Sequence, residues 1–198
     1  MIYLASKSPR RTELLDQIGV QHSVIEISVD ETLNPKVTAK ENVEALSTKK
    51  CQEGIRYILS NNMVPFPVLA ADTMVVLGEE IFGKPRSGED AIKMLLKLSG
   101  KVHSVISGVT IGIISKDKAD FHSITVESQV EFSMLSRLAC EKYCSTKEPF
   151  DKAGAYGIQG HGSVFVKRIE GSYSNIVGLP IHEVTLLFNK LNIPFWLT

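Results

Sequence analysis

Cysteine is scarce in this sequence: Cys51, Cys140 and Cys144 are the full set, an odd number with no CxxC pair. Such a set excludes a disulfide framework and fits a reducing compartment, the cytoplasm. Cys140 and Cys144 stand four apart and can share a helix face. No Cys or His pair at finger spacing accompanies them, so they read as ordinary thiols. Net charge is also missing, because 22 Lys+Arg balance 22 Asp+Glu. That balance excludes the broad basic face that binds duplex nucleic acid, and no stable nucleic-acid partner is expected. There is no long apolar run. The stretch from Val64 to Leu77 is broken by Pro65, Pro67 and Asp72 and falls short of the roughly 18 residues a membrane helix needs, so no membrane role is expected. Met1-Ile2-Tyr3-Leu4 lacks the charged-then-apolar layout of a signal peptide. The histidines show no HExxH spacing, and no GxGxxG run supports dinucleotide binding.

What is present suits a folded chain with a real core: 43% of residues are hydrophobic, and a chain of 198 residues can bury roughly 70% of its unfolded surface. Ile2 to Ala5 reads as a short buried strand. Ser8-Pro9 then opens a helix with a hydroxyl cap and proline at the first position; Leu14, Leu15 and Ile18 form its stripe and Gly19 ends it. A long helix is expected from about Ala39 to Leu59. Val68 to Ala71 and Met74 to Leu77 read as strand, interrupted by Asp72-Thr73. Ser87 to Asp90 starts a helix that stops at Gly100. The β-branched stretches Val102 to Ile114 and Ser123 to Phe132 read as a hairpin around Lys116-Asp117-Lys118, with a helix near Ser136 to Cys144 to follow. Glycine-dense Pro149 to Pro180 reads as loops with one strand, Val164 to Ile169, before a last helix from Pro180 to about Leu191. Interleaved helices and strands give an α/β class with a mixed sheet. No repeat or linker divides the chain, so residues 1–198 read as one domain.

Three segments carry more polar and glycine punctuation than a scaffold needs. Ser6-Lys7-Ser8-Pro9-Arg10-Arg11 sits at a strand end and helix start, where free N–H groups and a positive dipole end favour an anion. Two arginines there oppose the dipole, which argues that they serve a bound phosphate rather than the helix. In Ala70-Ala71-Asp72-Thr73 a carboxylate stands inside an apolar run. Asp72 is therefore the best candidate for a metal ligand or general base, against the equally weighted reading of an Asp that turns the chain between two strands. Gly78 to Lys84 matches GxxxxGK, but Pro85 replaces the Ser or Thr that would hold magnesium; a P-loop is rejected and Lys84 kept as a phosphate contact. The third segment, Asp151 to Gly162, offers close backbone approach, with Lys152 for charge, Tyr156 for stacking or packing and Gln159 for pairing to a base edge. His103 and His161 read as core or surface histidines.

These segments, in this order, resemble the Maf family of nucleoside triphosphate pyrophosphatases. The resemblance runs from Leu4-Ala5-Ser6 to Gly178-Leu179-Pro180. It is carried by Ser8-Pro9-Arg10-Arg11 with Glu13-Leu14-Leu15, Ala70-Ala71-Asp72-Thr73, Gly83-Lys84-Pro85, Leu98-Ser99-Gly100, Asp151 to Gly160 and Gly171-Ser172-Tyr173. Lys101, Ser107 and Ser128-Gln129 depart from the family pattern, and no role is transferred to them.

The resemblance implies an elongated α/β fold related to inosine triphosphate pyrophosphatases, with a twisted mixed sheet, two lobes around one cleft, and a homodimer. It implies water attack on the α-phosphorus of a nucleoside triphosphate in the presence of a divalent metal, magnesium or manganese. By the match, Asp72 accepts the proton; Arg10, Thr73 and Gln159 govern substrate choice. Ser8, Arg11, Lys50, Lys84 and Lys152 fall on phosphate-facing positions, and Glu31 joins Asp72 as a metal ligand. The Gln-containing loop resembles the dTTP/UTP branch. The weighed alternatives are a nucleotide-binding regulator of division or septum formation without turnover, and an enzyme for purine triphosphates such as ITP.

Overall fold

The chain begins in the interior of its own sheet. In the computed structural model, which describes residues 1–115 and 118–196, β1 (Ile2–Ala5) is buried along its whole length. It pairs in parallel with β2 (His22–Ile25) on one side, Ile2 opposite His22, and with β3 (Val68–Leu77) on the other, Tyr3 opposite Val68. Parallel neighbours need crossovers. These are α1 (Pro9–Gln17) before β2 and α2 (Ala39–Ser60) before β3. α1 starts at Pro9 as expected, and Gly19 takes a φ of +64° just beyond its end. α2 opens on a reciprocal cap: Thr38 Oγ1 accepts from the Glu41 N–H, while the Glu41 carboxylate accepts from the Thr38 N–H.

A two-residue turn led by Gly78 (φ +61°) folds β4 (Glu80–Phe82) back antiparallel on β3, Val75 opposite Phe82. Next come α3 (Gly88–Leu98), β5 (Val102–Ser115), β6 (Lys118–Phe132), α4 (Arg137–Ser145), β7 (Val166–Glu170), α5 (Tyr173–Val177) and α6 (Ile181–Leu191). Among the described residues the strands form one seven-stranded mixed sheet in the order β2-β1-β3-β5-β6-β7, with β4 on β3. The α/β class read from the sequence holds. No helix among the described residues is long and apolar enough to cross a membrane.

Several local expectations need correction. Asp72-Thr73 does not interrupt a strand; β3 runs unbroken through both, so the reading of Asp72 as a turn residue fails. β6 begins at Lys118, five residues before the expected Ser123, since alternation continues through its polar start. Lys116 and Asp117, at the expected hairpin apex, lie outside the described residues. The segment from Pro149 holds 3-10 turns at Glu148–Asp151, Ala153–Ala155 and His161–Phe165, and α5 besides. That short helix is capped by Ser172, whose hydroxyl accepts from the Asn175 N–H.

The described chain divides into two compact units. The first is Met1–Asp72, Ser107–Val126 and Gly178–Thr198; the second is Thr73–Ile106 and Glu127–Val177. In the first, α2 lays Cys51, Ile55 and Ile58 on Tyr3, Ala5, Ile25, Val68 and Ala70. Burial pushes the Cys51 thiol up to about 12, which makes it inert. In the second, Leu95 and Leu98 of α3 pack with Val105, Val130 and Phe132, and Phe132 meets Tyr156 edge-on at 4.7 Å between ring centres. His103 joins this group through a 2.9 Å hydrogen bond between its Nε2 and the Tyr156 hydroxyl. Burial pulls its pKa down to about 4, so it is a neutral core histidine as read.

Gly108 of β5 lies under α2 with no room to spare. A Cβ there would stand 2.6 Å from the Val43 carbonyl oxygen and 2.8 Å from its carbon, backbone atoms that cannot swing away. Gly108→Ala is expected to lower stability by about 1–3 kcal/mol. A urea titration checks this: the midpoint falls at an unchanged slope.

Candidate active site

Asp72 sits at the point where the apolar run of β3 turns half-buried. Its side chain is 14% exposed, and a carboxylate so placed needs a compensating charge. Lys50 supplies it. The register of α2 that buries Val43, Leu46, Ile55 and Ile58 also points Lys50 inward, and its ammonium lies 2.6 Å from Asp72 Oδ1. The same ammonium lies 2.6 Å from Glu31 Oε1, so two carboxylates share one cation. Glu31 belongs to the irregular segment before α2, which two α2 side chains tie down. Buried Asn42 donates to the Asn34 carbonyl and accepts from its N–H, while Lys49 donates to the Asp30 carbonyl.

Arg11 completes this group. It is buried on α1, with Nε donating to the Gly178 carbonyl (2.9 Å) and Nη1 to Ser6 Oγ (3.0 Å). Burial pulls its pKa down; the charge of Asp72 pulls it back up, Arg10 lowers it again and Glu31 raises it. Arg10 is half-buried beside it. Ser8 caps α1 without a side-chain bond to the helix, and its own N–H turns to Ser6 Oγ. The first unit therefore gathers Arg11, Lys50, Asp72 and Glu31, with Arg10 in the same field and Ser8 at the head of the helix.

The other predicted residues belong to the second unit. Thr73 follows Asp72 along β3 and faces the opposite side of the sheet. Lys84 is exposed and Gln159 is exposed. Two of the sequence segments meet here: the Gly154 N–H donates to the Gly83 carbonyl at 3.1 Å, and a Cβ on Gly154 (φ +68°) would press within 2.9 Å of Val75. Lys152 uses two of its three donors locally, on the Glu148 carbonyl (2.8 Å) and on Asp151 Oδ1 (2.6 Å).

The family profile described as Maf-like protein matches residues 1–191. The chain belongs to the Maf family. It is 44% identical over 186 residues to a dTTP/UTP pyrophosphatase of Chromobacterium violaceum, covering 94% of this chain and 92% of that protein. It is 43% identical over 193 residues to the dTTP/UTP pyrophosphatase of Caldicellulosiruptor bescii (96% and 94%). It is 47% identical over 188 residues to that of Thermosipho africanus (92% and 89%).

Asp72 and Glu31 are two carboxylates of this Maf chain that could hold a divalent cation. Both are hard oxygen donors, and both already converge on one positive charge, the Lys50 ammonium. No group of three or more His, Cys, Asp or Glu able to hold a metal ion occurs among the described residues. Two carboxylates suit magnesium or manganese, which commonly takes one or two from the protein and fills its shell with phosphate oxygens and water.

Sequence reasoning missed Asn42 and Glu148. A helix-interior Asn is a usable signal, since Asn prefers caps and turns. Glu148 gives no local signal, because its partners come from elsewhere in the chain. Its carboxylate accepts from the Tyr143 hydroxyl (2.8 Å), the His161 N–H (2.8 Å), the Gly162 N–H (3.2 Å) and His161 Nδ1 (3.0 Å). Burial raises its pKa, but these hydrogen bonds outweigh burial and hold it below its ordinary 4.5. Glu148 therefore stabilises the fold above that value, and the contribution is lost as pH falls through and below it. Denaturant midpoints of wild type and Glu148→Gln are expected to differ most at neutral pH, with the gap closing as pH drops below 4.5.

Proposed function

We propose that this Maf chain hydrolyses dTTP and UTP to the monophosphate and pyrophosphate, with Asp72 accepting the proton of the attacking water. The observation that carries the proposal is the pair of carboxylates, Asp72 and Glu31, held on Lys50 beside buried Arg11. Relatives at 43–47% identity bear this activity in their names.

An α-phosphoryl centre carries negative oxygens that repel a nucleophile, so the protein must neutralise them and supply one base. The water oxygen bonds to the α-phosphorus as the bond to the bridging β-phosphate oxygen breaks; pyrophosphate leaves with that oxygen and the water proton passes to Asp72. A strand position suits this role, because the ladder on either side fixes where the carboxylate points. Arg11, Lys50, Lys84 and Lys152, with the Ser8 hydroxyl and the head of α1, bind the phosphate oxygens. Asp72 and Glu31 would hold magnesium or manganese, which when bound supplies Lewis-acid neutralisation of phosphate charge. Arg10, Thr73 and Gln159 govern substrate choice. The Gln159 carboxamide can donate to O4 and accept from N3–H of uracil or thymine.

Residues 1–198 act as one catalytic domain in this reading, supported by a family match that runs through both units. Free thiols, two of them buried, support a cytoplasmic setting, and balanced charge supports a small polyanion over nucleic acid as partner. The family likeness supports a homodimer.

A panel of pyrimidine and purine triphosphates with magnesium or manganese, assayed for monophosphate and pyrophosphate, tests the function. dTTP and UTP should lead; a purine at the head of the ranking, or tight nucleotide binding without product over hours, overturns it. Asp72→Asn should lower kcat by about 10²- to 10⁴-fold with the fold retained, and unchanged turnover removes Asp72 from the role of base. Gln159→Glu loses the donor to O4 and should cut the preference for UTP over CTP about tenfold or more.

A further inference from the structure

The glycines of the segment Gly157-Ile158-Gln159-Gly160-His161-Gly162 stand in crowded surroundings. Glu148, Tyr143, Lys152 and the loop's own backbone press on them. A Cβ on Gly160 would collide with Glu148 Oε2; one on Gly157 would stand 2.6 Å from Lys152 Cε and 2.9 Å from Glu148 Oε1, and one on Gly162 would stand 2.7 Å from the Gly157 carbonyl oxygen and 2.8 Å from the Tyr143 hydroxyl. Tyr143 in turn accepts from the Gly157 N–H at 3.0 Å, while Glu148 takes the N–H groups of His161 and Gly162. Both ends of the segment are thus bonded to one Tyr–Glu pair, and Glu148 itself is only 14% exposed. Between these ends, Ile158 packs on the second unit's core and Gln159 stays exposed. A backbone held at both ends with Ile158 turned in leaves Gln159 a narrow range of directions.

We propose that Glu148 is a positioning residue for base recognition: through the His161 and Gly162 N–H groups and Tyr143 it fixes the direction of Gln159, and so sets base preference. The proposal rests on the reading of Gln159 as the residue that pairs with uracil or thymine. A carboxylate is suited to the task because it accepts from several donors at once, and bonds to a charged acceptor are stronger than neutral ones. Without it, the two N–H groups and the tyrosine hydroxyl lose their shared acceptor, and the loop is free to rearrange.

A double-mutant cycle tests this, reading the ratio of kcat/KM for UTP to that for CTP in wild type, Glu148→Ala, Gln159→Ala and the double variant. Glu148→Ala should lower the ratio about tenfold or more, chiefly through the KM for UTP, and change it less than about twofold once Gln159 is already Ala. A general loss of structure would act equally in both backgrounds, and equal effects overturn the proposal. A ratio that Gln159→Ala moves and Glu148→Ala does not overturns the positioning role alone. A ratio that Gln159→Ala leaves untouched overturns base reading by Gln159, and the proposal with it. If Glu148→Ala does not fold, Glu148→Gln, isosteric and with one acceptor oxygen left, replaces it in the same cycle; it should lower the ratio with Gln159 present and not in its absence, and any other pattern overturns the proposal.

Discussion

A carboxylate within a buried strand has to be met by a cation, and much of the first unit follows from how that demand is answered. Asp72 is met by Lys50, so α2 must approach β3 closely enough for a lysine to span the gap while its apolar stripe stays on the sheet. Gly108 and Gly54 make that approach feasible: a side chain on Gly108 would strike the helix backbone at Val43, and one on Gly54 would strike Val68, Ala5 and Ile25. The cation then recruits a second carboxylate, Glu31, from a segment that lacks regular structure and is pinned by Asn42 and Lys49 of the same helix. One helix therefore packs the core, compensates the strand acid and anchors the segment that bears the other acid. Removing one partner of such an inward-facing pair leaves an uncompensated charge, which is why such a lysine is costly to lose whatever its chemical role.

The second unit meets a similar demand with directional hydrogen-bond donors. Among the described residues no lysine or arginine is paired with the Glu148 carboxylate; it accepts from a phenol, two backbone N–H groups and a ring nitrogen. Hydrogen bonds of this kind demand direction where a salt bridge chiefly demands distance. The consequence is a loop whose His161 and Gly162 backbone groups are set by one side chain.

Much of this architecture is legible before any coordinates. The start of α1 at Pro9, the extent of α2 from Ala39, the start of α3 at Ser87 and the course of α6 follow from caps, breakers and spacing, and all are local signals, although the hydroxyl cap expected of Ser8 does not form. Asp72 was legible as anomalous but not as a strand residue, because what keeps it there is Lys50, 22 positions away. β2 and β4 are short and take their form from neighbours more than from their own residues. The role of Glu148 is invisible for the same reason, since its chief partners lie 13 and 14 residues downstream and two of them are backbone groups with no side-chain signature. What the family pattern conveys about Arg11 is its presence; that it is buried and bonded to Ser6 and Gly178 needs the fold.

That last bond has a bearing on synthesis. Arg11 lies in α1, yet the carbonyl that receives its Nε proton belongs to a residue 167 positions later. At about 5–20 residues per second, roughly ten to thirty seconds separate the two. Throughout that interval the guanidinium has no native acceptor from Gly178, and burying it without one is unfavourable. The packing of Arg11 at the head of α1 therefore reaches its final form only after Gly178 has been made, well after the helix itself.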